Sequence, residues 1–309
     1  MSKQKNLRYQ IIQVCKDNFR ENIDKHSYYK QNGREQANII FSHTSKINTE
    51  RIGKNFANFV KEEYPEIKKL SDIEPKHVQS FLDSKAETCT HNTLVTYHGG
   101  MRKLEKLINK TYDSANLDYG DKITVPHSEK NYDDNRGVGA QISREDYNKI
   151  LDTAKKSTCQ SAYAVRLQEH LCIRVAEIAT LDRDKVHFNG DGTSTIDITN
   201  TKGGRAMSRE LDEEGTNLVK EILDKKFDDN KLFSIRSSSI NDYLRDTEDA
   251  LQIDRHSFHD IRRTLAQEYY DNLREQGYSK EDAADETSLY LNHNKDREAL
   301  LKRSYINLH

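Results

Sequence analysis

A chain of 309 residues, 34% aliphatic and aromatic and 32% charged, is long enough for two domains with sizeable cores and too apolar to be disordered. No apolar run approaches a membrane span, and the opening MSKQKNLRYQ lacks the apolar core of a secretory signal, so a cytoplasmic protein is expected. The four cysteines, Cys15, Cys89, Cys159 and Cys172, are scattered without metal-ligand spacing and read as reduced thiols. The net charge of −2 does not by itself suggest a nucleic-acid partner, but its distribution is uneven. Residues 1–112 carry 20 Lys and Arg against 13 Asp and Glu, and residues 113–135 carry 2 against 6. A basic first third and an acidic spacer suggest two modules joined by a linker. The basic module suits either a polyanion or a solvated helical surface.

In chain order, Leu7, Ile11, Val14 and Phe19 fall near helical spacing. Ile52, Phe56, Phe59 and Val60 mark an amphipathic helix with Asn48 or Thr49 as its cap. A shorter helix carries Pro75 in its first turn. The stretch THNTLVTYHGGMRKLEKLINKTY places Leu94, Tyr97, Met101, Leu104 and Ile108 on one side. Residues 1–112 are therefore expected to be a helical domain, and 113–140, where Gly, Pro, Asp and Asn displace periodicity, a linker. Residues 141–309 restart with a helix capped by Ser143, three residues before Asp146. Three short strands follow, near Val186–Phe188, Thr195–Thr199 and Ala206–Leu211, with NGDG and TKGG as turns. The remainder reads as helical. The expected fold class is mainly α with one small three-stranded antiparallel sheet.

Two arginines appear misplaced. Read as a helix, HLCIRVAEIATL carries Leu171, Val175, Ile178 and Leu181 on one stripe, with Arg174 inside it. In SFHDIRRTLAQEYY, Phe258, Ile261, Leu265 and Tyr269 form a second stripe, with Arg262 inside it and His259 one turn earlier. A buried guanidinium needs an anion. A carboxylate such as Glu177 would serve, giving a structural ion pair. So would the phosphate or carboxylate of a ligand, whose oxygens match the planar fork of donors.

The same domain offers Lys202 in the turn NTKGGR, His293 in YLNHN, and Tyr305 near the end of the sequence. Each alone is an ordinary turn lysine, surface histidine or packing tyrosine. In this order the set resembles the active site of the tyrosine recombinase (phage integrase) family: an Arg with an acidic residue three on, a Lys in a β-turn, His-x-x-Arg, a later His, and a tyrosine. Here these are Arg174 with Glu177, Lys202, His259 with Arg262, His293 and Tyr305. The sequence departs from the family pattern in several places. Cys172 stands where Gly is frequent, Arg263 where a His is common, and Asn292 where Gly is usual. The intervals from Arg262 to His293 and from His293 to Tyr305 are also long.

The resemblance implies an N-terminal helical core-binding (SAM-like) domain and a tyrosine-recombinase catalytic domain, forming a clamp around duplex DNA. It implies Tyr305 as nucleophile and a 3′-phosphotyrosine intermediate. Arg174, Arg262 and His293 would stabilise the phosphate, Lys202 would protonate the leaving oxygen, His259 would act as base or orient the phosphate, and Glu177 would play a supporting part. It implies no metal and no other cofactor. The implied partner is a double-stranded recombination site held by a homotetramer, two protomers per site, with room for an accessory directionality factor, and the implied location is the nucleoid. A type IB topoisomerase-like enzyme and a catalytically inactive DNA-binding relative are the alternatives.

Overall fold

The computed structural model describes residues 6–308 apart from 22, 24, 34–37, 114, 131–139, 202 and 203. Lys202, the expected general acid, therefore lies outside the described residues. The chain divides into two compact units, residues 1–134 and 135–309.

The first unit is helical: α1 (Leu7–Asp17), α2 (Lys25–Asn32), α3 (His43–Glu63), α4 (Pro75–Ala86) and α5 (His91–Thr111). The heptad-like spacing seen in the sequence becomes the core, with Leu7, Ile11 and Val14 of α1 buried against Ile52, Phe56 and Val60 of α3 and Leu104 and Ile108 of α5. Two details differ from the sequence reading. α3 begins at His43, capped by Ser42 whose hydroxyl accepts the Ser45 amide at 3.2 Å, so Asn48 and Thr49 are interior. α1 ends at Asp17, and Phe19 lies beyond it in a bridge to Ile40. After α5 the chain does not leave the unit at once. Tyr119 and Ile123 are buried, and the Tyr119 amide donates to the core carboxylate of Glu105 at 2.5 Å.

Gly53 lets α1 and α3 approach closely. A Cβ there would stand 2.5 Å from Ile11 Cγ2 and 3.1 Å from Leu104 Cδ1. The Ile11 methyl sits on a branched carbon with little rotamer freedom, so it cannot swing aside. Gly53→Ala is expected to destabilise the protein by about 1–2 kcal/mol, overpacking outweighing the helix-propensity gain of alanine. Urea denaturation of this unit's transition measures it.

The second unit comprises α6 (Arg144–Lys155), α7 (Gln160–Leu171), α8 (Val175–Ile178), β1 (Val186–Phe188), β2 (Ser194–Ile198), β3 (Met207–Leu211), α9 (Glu213–Lys225), α10 (Ser237–Leu251), α11 (Phe258–Glu275), α12 (Lys280–Tyr290) and α13 (Glu298–Ser304). The sheet is antiparallel in the order β1-β2-β3, with Val186 opposite Ile196 and Ile198 opposite Met207. The expected class, mainly α with one small antiparallel sheet, is the observed one. Ser143 caps α6 as its spacing from Asp146 suggested, the Asp146 amide donating to its hydroxyl at 3.1 Å. Leu167, Leu171, Ile178, Ile196, Ile261 and Ile306 meet in one core that joins α7, the sheet, α11 and the C-terminal segment. Among the described residues no helix is long and apolar enough to cross a membrane.

Candidate active site

The helix read through Arg174 does not exist as one element. α7 stops at Leu171, Cys172 turns the chain with φ +49°, and Arg174 is the extended N-cap of the four-residue α8. Leu171, Ile178 and Leu181 are buried, but not as a stripe on one helix. The break turns the Arg174 side chain toward the second arginine's helix. Its partners are held tightly: the Arg174 amide donates to Glu177 Oε2 at 2.8 Å, and its Nη1 donates to Glu177 Oε1 at 2.8 Å. Glu177 is buried, so this carboxylate fixes both backbone and guanidinium of Arg174. The ion-pair reading of Arg174 is thus correct for one edge of its fork. The other edge, Nη2, lies 3.1 Å from His293 Nε2. A guanidinium has no acceptor, so that ring nitrogen must be the unprotonated one and the imidazole proton sits on Nδ1.

Arg262 behaves as the sequence suggested. It lies on α11, whose start is set by Ser257 and Asp260: the Ser257 amide donates to Asp260 Oδ2 at 2.6 Å. Its side chain is 0% exposed. Nε donates to the Cys172 carbonyl at 2.9 Å and Nη2 to the Leu291 carbonyl at 2.8 Å. Nη1 is buried and has no hydrogen-bond partner among the described residues. Burial pushes its pKa down, which is the electrostatic signature of a cation held without enough negative charge.

Arg262 lines a cleft of about 610 Å³ together with Arg174, His259, His293, Ser304 and Tyr305. Tyr305 is 5% exposed and lies at the end of α13. Its ring sits edge-on to both histidines, with centroids 5.2 Å from His259 and 5.4 Å from His293, and 5.7 Å from the Arg262 guanidinium carbon. The tyrosine is anchored by its own chain. Arg263 Nε donates to the Ser304 carbonyl at 2.8 Å, Gln141 Nε2 to the Tyr305 carbonyl at 3.0 Å, and the Asn307 amide to Gln267 Oε1 at 2.6 Å. Of the seven candidates, Arg174, Glu177, His259, Arg262, His293 and Tyr305 come together.

His259 and His293 are both held down at about 4. Burial is the main cause, followed for His259 by Arg263 and Arg262 and for His293 by Arg262 and Arg174. Both rings are neutral at pH 7. In the unfolded chain they titrate near 6.5, so between about 6.5 and about 4 the unfolded state binds more protons. Stability should therefore fall as pH drops through that window, and the two rings should contribute nothing above it. Thermal melts at pH 7.5 and 5.0 check this: the drop should shrink in His259→Gln and in His293→Gln, and an equal drop in both variants would contradict it.

A second cleft of about 640 Å³ is lined by five carboxylates, Glu169, Asp212, Glu213, Glu214 and Glu221, against the two cations Lys155 and Arg166, so its balance is negative. Its carboxylates repel a phosphate, so size does not decide between the two. Sequence reasoning missed Arg263, Gln141 and Gln267 as anchors of the tyrosine, since each acts through a backbone carbonyl or amide far along the chain. It also registered Cys172 and Asn292 only as departures. Both have positive φ, +49° and +55°, the conformation that glycine tolerates best.

The second unit is thus a mainly helical domain with a cationic cleft that holds a tyrosine and two neutral histidines. Residues 141–277 match the model of the Phage integrase family. The match spans Arg174, Lys202, His259 and Arg262 and ends before His293 and Tyr305. No curated protein matches the sequence. Among solved structures, the chain is similar to XerH site-specific recombinase bound to palindromic difH substrate, with TM-score 0.60 and 15% identity, covering 96% of this chain and 92% of that one. It is also similar to a lambda integrase tetramer bound to a Holliday junction, with TM-score 0.56 and 16% identity over 97% and 81% of the two chains. The Tn1549 transposon integrase in complex with transposon right end DNA gives TM-score 0.52 and 10% identity over 94% and 97%. At these identities the likeness is one of fold.

Proposed function

We propose that this protein is a site-specific DNA recombinase of a mobile element, acting through a 3′-phosphotyrosine intermediate. The observation that supports this best is that Arg262, a lining residue of the cleft that holds Tyr305, carries in Nη1 a buried cationic donor with no partner among the described residues. A scissile phosphate would supply the missing anion.

In this reading Tyr305 Oη attacks phosphorus, forming the Oη–P bond while the P–O5′ bond breaks. Negative charge grows on the non-bridging oxygens, where Arg262 Nη1 and Arg174 Nη2 donate. Preorganised donors aimed there contribute roughly 10² to 10³ in rate each. Arrival of the phosphate takes Arg174 Nη2 from His293, freeing that imidazole to turn a donor toward the same oxygens. His259, neutral and beside the Tyr305 ring, accepts the phenolic proton or orients the phosphate. Lys202, which falls between β2 and β3 in the sequence, gives a proton to the leaving O5′. Glu177 positions Arg174. The two arginines carry the charge that a divalent ion carries in many nucleases, so no metal or other cofactor is required. The phosphotyrosine keeps the bond energy of the phosphodiester, so a second 5′-hydroxyl can reverse the step without a nucleotide.

We assign residues 1–112, with the segment through Ile123 that packs into their core, to core-site binding, the rest of 113–140 to a linker and 141–309 to catalysis. The functional species is a homotetramer on double-stranded DNA, two protomers per site, open to an accessory directionality factor, and it works at the nucleoid. Phosphate contacts should dominate affinity, so binding should weaken steeply with salt. The test is a supercoiled plasmid bearing two copies of the DNA that flanks the gene, incubated with protein in EDTA. Recombinant circles are expected. Relaxation alone would identify a type IB topoisomerase-like enzyme. A requirement for a divalent ion would overturn the mechanism.

A further inference from the structure

Beyond the residues that would meet the phosphate, one arginine outside the cleft holds the His293 loop. Arg205 is exposed, just before β3, and is not among the cleft-lining residues. Its Nη1 donates to the His293 carbonyl at 2.9 Å, and its guanidinium also donates to Asn294 Oδ1. The bond is returned: Asn292 Nδ2 donates to the Arg205 carbonyl at 3.0 Å. Asn292 is the residue with φ +55°, so its side chain secures a backbone conformation that costs a non-glycine residue energy.

The rest of the loop is bound in the same way. Arg209 of β3 donates to the Tyr290 carbonyl and stacks over the Tyr290 ring at 4.5 Å. Arg262 donates to the Leu291 carbonyl, the His293 amide donates to the Ser288 carbonyl at 2.8 Å, and the Ser288 hydroxyl donates to the Asn294 carbonyl at 2.7 Å. Among the described residues, Arg205 and Asn292 tie the loop to the hairpin side of the unit at His293 itself, as Arg209 does at Tyr290.

We propose that Arg205 and Asn292 are a positioning pair that sets the orientation of the His293 imidazole and so its contact with Arg174. The mechanical reason is that a single residue of freedom in φ at Asn292 would swing the next side chain by several ångströms. The clasp removes that freedom by bonding the residues on both sides of the ring. Neither residue lines the cleft. The role in catalysis rests on the recombinase reading, whereas the contact itself is a property of the free protein. If it holds, loss of the clasp should slow cleavage by up to about 10²-fold, the effect of misplacing one group by about an ångström.

The test is made on free protein. The ring nitrogens of His293 are observed by ¹⁵N NMR at pH 7, with His293→Gln supplying the assignment. In the wild type a single tautomer is expected, protonated on Nδ1, with Nε2 as acceptor from Arg174. In Arg205→Ala the ring should become a mixture of tautomers while the His259 signals and the melting temperature stay put, because Arg205 is exposed. Asn292→Gly should do the same without backbone strain, since glycine adopts φ +55° freely. Unchanged His293 signals in both variants would overturn the proposal. So would movement of His259 and His293 together with a lowered melting temperature, which would mark a general loosening. Neither result depends on whether the protein recombines DNA.

Discussion

Arg262→Ala should lower the rate of DNA cleavage by more than about 10²-fold and lower stability by about 3–5 kcal/mol. The two effects have separate causes. On the proposed mechanism cleavage falls because Arg262, a lining residue of the cleft, carries in Nη1 a buried donor with no partner among the described residues. Stability falls because the same side chain is fully buried and supports the carbonyls of Cys172 and Leu291. Removing it strands two buried acceptors and leaves a cavity where the α7–α8 break meets the His293 loop. Arg174→Ala separates the two effects. Its side chain is 21% exposed, so truncation leaves a smaller cavity, and the Glu177 carboxylate keeps the residue-174 amide as a donor; the fold should lose less while cleavage still falls by more than about 10²-fold. Urea denaturation beside single-turnover cleavage, run on both variants, reads both quantities. Equal stability losses in the two variants would show that Arg262 is not the structural centre described here.

How much of this was legible depended on whether the informative contact was local in sequence. His259 and Arg262 are one turn apart on a helix whose apolar stripe is intact, so both their neighbourhood and the oddity of a buried arginine could be read directly. Arg174 was singled out for a reason that proved wrong. The apolar spacing from Leu171 to Leu181 mimics a helix, and nothing about a cysteine announces the left-handed turn that breaks it at Cys172. The oddity survived because Arg174 does face the cleft, from an N-cap rather than a helix interior. The strands were found from β-branched residues and glycine turns within about a residue of their observed ends. The beginning of α3 was missed because His43–Ile47 carry little apolar periodicity, and the cap at Ser42 is one serine among many. The anchors of Tyr305 and the clasp around His293 join residues separated by 40 or more positions, or use backbone carbonyls. No spacing rule reports such contacts.

The largest effect of all belongs to Tyr305. On the proposed mechanism its hydroxyl forms the bond to phosphorus, so Tyr305→Phe should abolish covalent capture rather than slow it. The fold has little reason to suffer. The anchors of this residue are on the backbone, at the Ser304 and Tyr305 carbonyls and the Asn307 amide, and its ring contacts with the two histidines survive in phenylalanine. DNA affinity should therefore be kept, with the same salt dependence. Other tyrosines near the site are poorly placed to substitute. Tyr290 is stacked at 4.1 Å on Tyr269, and burial raises its pKa well above the usual phenol range. Tyr270 is fully buried.

The decisive measurement is a denaturing gel. Nicked duplexes cut from the DNA flanking the gene are incubated in EDTA with wild-type protein or with Tyr305→Phe, after equal binding has been verified on a native gel. A protein–DNA adduct with wild type and none with Tyr305→Phe, the adduct peptide carrying its phosphate on Tyr305, is the expected result. An adduct of normal yield with Tyr305→Phe, or none with wild type on a fragment that it binds specifically, would contradict the account.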